Sequence, residues 1–100
     1  MICVFVTFRY ETGFDAEKIR KIADGARERF EGMPGLHTKI FAVDPARQEA
    51  RNVYVWTSES AARAFFTDEL TQRVTALYGV RPSVEFAEIA ALVENAVTKT

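Results

Sequence analysis

At 100 residues the chain has the length of one domain and can bury roughly two thirds of its unfolded surface without disulfide or metal support. Apolar residues make up 48% and charged residues 27%, a globular balance that excludes a disordered chain. Thirteen basic residues against 14 acidic ones, mixed along the chain, leave a formal charge of −1 and argue against nucleic acid as a partner.

Residues 2–10 (ICVFVTFRY) are β-branched and aromatic on both alternating rows, the pattern of a central strand covered on two sides. Its opening run is too short to span a bilayer and lacks the basic n-region of a signal peptide. Cys3, the sole cysteine, reads as a buried thiol. No membrane association and a cytoplasmic location are the expectations that follow. Thr12-Gly13 breaks the strand and Asp15 is placed to cap a helix. Ile19, Ile22, Ala23, Ala26, Phe30 and Met33 recur at helical spacing, with Gly25 inside as a candidate close-packing contact, until Pro34-Gly35 ends the element.

Leu36 to Asp44 alternates as a second strand, Pro45 to Ala50 reads as a polar hairpin loop, and Asn52 to Ser58 is a third strand. Ser58 caps a second helix whose apolar stripe runs from Ala61 to Tyr78, with Thr67-Asp68 as a break and Gly79 just past its end. Val80 to Leu92 supplies the last strand and 94–100 a short tail. The order β-α-β-β-α-β gives an α+β, ferredoxin-like domain spanning residues 1–100, a four-stranded antiparallel sheet with its helices on one face. Both rows of strands one and three are apolar, yet the helices cover one face only. A second copy of the chain is the expected cover for the other, making a homodimer.

Asn52, Tyr54 and Trp56 project from one side of their strand. Facing the helices, they would line a cleft with Phe65, Phe66 and Tyr78 as walls, suited to a small apolar or aromatic ligand. The alternative makes Tyr54 and Trp56 core residues and Asn52 a hairpin residue. His37, the sole histidine, is a candidate general base or simply an exposed strand start. Arg9 is expected to be buried with an acidic partner such as Glu85 or Glu88, with an anchor for an anionic substrate group as the alternative, and Arg81 to stay at the rim. A glycine-rich nucleotide loop, a CxxC pair and a His-x-Glu spacing are all lacking, so no metal and no cofactor are expected.

The run VFVTFRY, the helix exit Met33-Pro34-Gly35-Leu36, the strand with Lys39, the strand Val53 to Ser58, Ala61-Ala62 and the exit Tyr78-Gly79-Val80 together resemble the YdhR-like mono-oxygenases of the dimeric α+β barrel superfamily. That resemblance implies a cofactor-independent monooxygenase acting on a phenol- or quinol-like compound. In the cofactor-free relatives an asparagine and a tryptophan four residues apart line the pocket, and Asn52 and Trp56 match that spacing. Catalytic roles for Asn52, Trp56 and His37 and substrate contacts from Tyr54, Phe65, Phe66 and Tyr78 are then expected. A non-catalytic binding protein, or an isomerase or lyase on the same fold, are the competing readings.

Overall fold

The computed structural model describes residues 1–95. Four strands and three helices follow in the order β1 (Ile2–Arg9), α1 (Ala16–Phe30), β2 (Leu36–Asp44), β3 (Glu49–Trp56), α2 (Glu59–Phe65), α3 (Asp68–Tyr78) and β4 (Ser83–Glu88). The sheet runs β2-β3-β1-β4 with every neighbouring pair antiparallel, the ferredoxin-like arrangement.

Alternation decides which side chains meet the helices. Ile2, Val4, Val6 and Phe8 form the buried row of β1, and register places Val4 beside Tyr54 and Val6 beside Asn52. Ile19 of α1, Ala62 of α2 and Tyr78 of α3 close over that row in one core cluster. On the opposite face Phe5 and Ile40 stay 41% and 50% exposed. Cys3 belongs to that face and is half-buried, its thiol directed at the Ala87 carbonyl, where a buried thiol was expected.

The caps explain where the helices begin. Asp15 accepts hydrogen bonds from the backbone N–H groups of Glu17 and Lys18, and Ser58 accepts one from Ala61. The Thr67-Asp68 break divides the second helical stretch in two, because the Thr67 hydroxyl accepts from the Leu70 N–H and starts α3 afresh. Gly79 ends α3 in the left-handed conformation at φ 86°, donating to the Thr75 carbonyl.

Four expectations are corrected. α1 stops at Phe30 rather than reaching Met33, since Gly32 turns the chain at φ 70°. β3 starts at Glu49, so the hairpin loop closes at Gln48, and the charged segment 49–51 is paired strand. Arg9 lies opposite Glu49 and pairs with it at 3.0 Å, not with Glu85 or Glu88. β4 covers Ser83–Glu88 only; Pro82 has no N–H for the ladder, and the Ile89 N–H to Met1 carbonyl bond is its last rung. Gly25, in addition, packs against nothing within 4 Å of where a Cβ would stand. Of the expected tail, residues 96–100 lie outside the described residues.

Candidate active site

The early start of β3 moves Asn52 from a hairpin rim to mid-strand. It is 5% exposed, flanked by Phe41 of β2 and Val6 of β1, and its Nδ2 donates to the Tyr78 hydroxyl at 3.2 Å. Tyr78 stacks on Phe8 with ring centroids 3.8 Å apart and is fixed further when the Tyr10 hydroxyl donates to its carbonyl oxygen at 2.7 Å. Asn52 is thus held from both sides of its strand and from α3.

Two positions along the same row, Tyr54 is clasped by the reversal between α2 and α3. Its ring meets Phe66 edge-on at 4.9 Å and Phe65 at 5.7 Å, and lies parallel to Trp56 at 6.1 Å. Trp56 is 2% exposed, with Phe65 at 5.2 Å, and its indole Nε1 has no hydrogen-bond partner among the described residues. Buried N–H donors are normally paired, and leaving one unpaired costs about 1–3 kcal/mol.

Between α1, α3 and the sheet lies a chamber of about 90 Å³ bounded by Asn52, Tyr54, Phe65, Tyr78, Phe41 and Lys39. Three cationic side chains reach it, Arg29, Lys39 and Arg73, and among the described residues no carboxylate lines it. Phe66 walls a smaller void of about 20 Å³ on the other side of Asn52 and Tyr54. Trp56 lies behind Tyr54 rather than on the chamber wall. His37 is exposed and lines an outer groove with Arg27 and Glu31, its Nδ1 2.7 Å from the Thr38 hydroxyl and 3.7 Å from a Glu94 carboxylate oxygen. The expected residues therefore divide: Asn52, Tyr54, Phe65 and Tyr78 come together, Trp56 and Phe66 back them, and His37 stands apart.

Lys39 is the residue sequence reading passed over as a site. Its Nζ lies 3.7 Å from the Tyr54 ring centroid, 3.8 Å from Phe30 and 4.3 Å from Phe41. Burial, then repulsion from Arg29, pulls its pKa from 10.5 down to about 7. The available signal was its row: Lys39, Phe41 and Val43 alternate together, and Lys39 is a charge on the helix-facing side. Burial also raises the Tyr54 and Tyr78 phenols, with the Asn52 hydrogen bond opposing the shift at Tyr78, so both rings stay neutral.

The family model described as "Putative mono-oxygenase ydhR" matches residues 3–92. The chain belongs to this YdhR mono-oxygenase family. No curated protein matches the YdhR-family chain significantly. Solved structures similar to it include a monooxygenase from the gene ActVA-Orf6 of Streptomyces coelicolor in complex with the ligand nanaomycin D, at TM-score 0.71 and 21% identity over 95% of this chain and 92% of that one. A protein from Deinococcus radiodurans described as a "putative antibiotic biosynthesis monooxygenase" matches at 0.67 and 13% over 97% and 100%. A mutant of SnoaB, a cofactor-independent oxygenase from Streptomyces nogalater, matches at 0.65 and 13% over 94% and 97%. At these identities the likeness shows the shared fold. Among the described residues of this YdhR-family protein, no helix is long and apolar enough to cross a membrane.

Proposed function

We propose that the protein is a cofactor-independent monooxygenase that oxidises a small electron-rich aromatic of the phenol or quinol type in the chamber between the helices and the sheet. The single observation that carries this reading is Asn52. It is a buried amide whose Nδ2 sits at the edge of an aromatic chamber, held there by Tyr78. A second N–H remains on that amide for an oxygen that gains negative charge, and such a placed donor contributes a few kcal/mol to a transition state. The family match supports the reaction class, and the fold shared with SnoaB is consistent with it.

The chemistry balances without an added reductant. The ring C–H para to the phenol hydroxyl becomes C=O and the hydroxyl a second carbonyl; dioxygen gives one oxygen to that carbon, the other leaves as water with the C–H and O–H hydrogens, and the substrate supplies all the electrons. Asn52 stabilises the oxyanion of the deprotonated substrate, Tyr54, Phe65 and Tyr78 hold its aromatic body, and Trp56 positions the Tyr54 ring from behind. His37, exposed in the outer groove, has no part in this reading. The chamber at about 90 Å³ is smaller than the ~150 Å³ that holds benzene, so entry of a ring requires its walls to open further. The open sheet face is covered by a second copy, a homodimer, because Phe5 and Ile40 otherwise present apolar surface to water.

Oxygen uptake tests this directly, with a panel of anthrones, quinols and catechols and no metal or cofactor added. Saturable uptake lost in Asn52→Ala establishes the reading. Saturable binding without uptake, followed by Trp56 fluorescence, moves the protein to a binding or isomerising role.

A further inference from the structure

We propose that Lys39 takes the acidic proton of the substrate, so that the chamber selects ionisable phenols and enols over their O-alkylated counterparts. This inference rests on the aromatic-chamber reading above and deepens it by naming the base and the ionisation state of the ligand.

Deprotonation needs a group that is basic near neutral pH and within reach of the ligand. Around the chamber, Arg29 from α1 and Arg73 from α3 are permanently charged and cannot accept. Tyr54 from β3 and Tyr78 from α3 are phenols that burial keeps protonated, and Asn52 is an amide. Lys39 from β2 is what remains, and it is directly cross-strand from Tyr54. Its ion-pairing options lie elsewhere: the ion pairs among the described residues do not include it, and Glu31 and Arg27, which share the outer groove with it, pair with each other at 3.6 Å. Burial and Arg29 favour its neutral amine, the form that can accept.

Proton transfer leaves each product accommodated. The substrate O–H bond breaks, its electron pair stays on oxygen, and the new N–H bond forms at Nζ. The ammonium is then enclosed by the faces of Phe30, Phe41 and Tyr54, which attract a cation and do nothing for the neutral amine. The oxyanion faces the Asn52 amide within a lining that, among the described residues, holds Arg29 and Arg73 and no carboxylate. Charge is moved inside the chamber, and no proton is released to solvent.

The test titrates 4-nitrophenol bound to the intact protein, using the distinct absorption of phenol and phenolate, with 4-nitroanisole as the non-ionisable comparison. In wild type, bound phenolate appears at least about one pH unit below the free dye. In Lys39→Met it appears above the free dye, while 4-nitroanisole binds both proteins within about threefold, a difference of ~0.6 kcal/mol. Lys39→Arg keeps the charge and the phenolate but cannot accept a proton, so it retains dye binding and loses oxygen uptake about 100-fold. Lys39→Gln replaces Lys39→Met if circular dichroism shows that variant unfolded. An unchanged dye titration in Lys39→Met with anisole binding intact overturns the assignment of Lys39 and leaves the chamber standing. Failure of both dyes to bind overturns the chamber reading and this inference together.

Discussion

The Asn52 side chain reaches from the middle of β3 to the Tyr78 hydroxyl at the last residue of α3, 3.2 Å away and out of contact with water. This link sets the position of the proposed oxyanion donor, because the bond to Tyr78 fixes an amide that lines the chamber. Removing either end leaves the other unpaired and buried. Asn52→Ala should lower unfolding free energy by about 2 kcal/mol and Tyr78→Phe by about 1 kcal/mol. Urea denaturation of both singles and the double should give a coupling of about 1 kcal/mol. Strict additivity would mean that the hydrogen bond does not form in solution.

Trp56 offers the opposite case, a buried donor with nothing to donate to. Trp56→Phe sheds ring volume but also sheds the unpaired N–H, whose burial costs about 1–3 kcal/mol, so the two changes offset. Stability should stay within about 1 kcal/mol of wild type, and turnover of an anthrone should fall less than in Asn52→Ala, because Trp56 acts through the Tyr54 ring it backs. A large stability loss with unaltered turnover per folded molecule would make Trp56 a packing residue only.

Much of this arrangement was legible in the sequence. The two apolar rows of residues 2–10, the caps at Asp15 and Ser58 and the Thr67-Asp68 break each rest on local chemistry, and each is found in place. The shared row of Asn52, Tyr54 and Trp56 follows from alternation alone. What local reasoning missed depends on cross-strand partners. Glu49 and Arg51 look like loop residues until Arg9 and Asp44 are seen opposite or beside them, forming ion pairs on the open face. The setting of Lys39 needs three rings from α1, β2 and β3, and the orphaned indole N–H needs the whole core.

Two glycines separate backbone strain from packing. Gly35 has φ +80°, and a Cβ there would meet the Ala61 Cβ at 3.0 Å while its carbonyl accepts from the Thr57 N–H. Gly35→Ala should therefore lose about 2 kcal/mol or more, combining left-handed strain with a clash at the start of α2. Gly25 lies in helical backbone with open space around it, so Gly25→Ala should gain about 1 kcal/mol. Thermal melts of the pair should move in opposite directions. A destabilising Gly25→Ala would show that a contact is made there in the assembled protein.

The depressed pKa of Lys39 makes stability depend on pH with a definite sign. Between about 7 and 10.5 the unfolded chain carries this proton and the folded chain does not. The unfolded state binds more protons there, so stability rises with pH, by at most about 1.4 kcal/mol per pH unit. The burial penalty is fully present below about 7 and is relieved as pH climbs toward the unfolded value. The raised tyrosines act in the other direction, and only above about 10, where the unfolded chain loses phenolic protons that the folded one keeps. Urea unfolding at pH 6.5 to 9.5 should thus show a rise that Lys39→Met flattens. A flat wild-type profile would mean that Lys39 stays charged in the fold.

Assembly is tested on the sheet face the helices leave open. Phe5 lies on β1, one of the two central strands, and is 41% exposed, so Phe5→Asp removes little from the core of a single chain. In a two-fold dimer the same change places two carboxylates near the interface, where the nearby Arg51 is already paired with Asp44 and Glu49, which costs several kcal/mol. Sedimentation should show wild type as a dimer and Phe5→Asp as a monomer, with matching circular dichroism. Ile40→Asp, on the outer strand β2, should act in the same direction but more weakly, as an interface residue nearer the rim does. A wild-type monomer at micromolar concentration would leave Phe5 and Ile40 facing water and would remove the dimer from the proposed function.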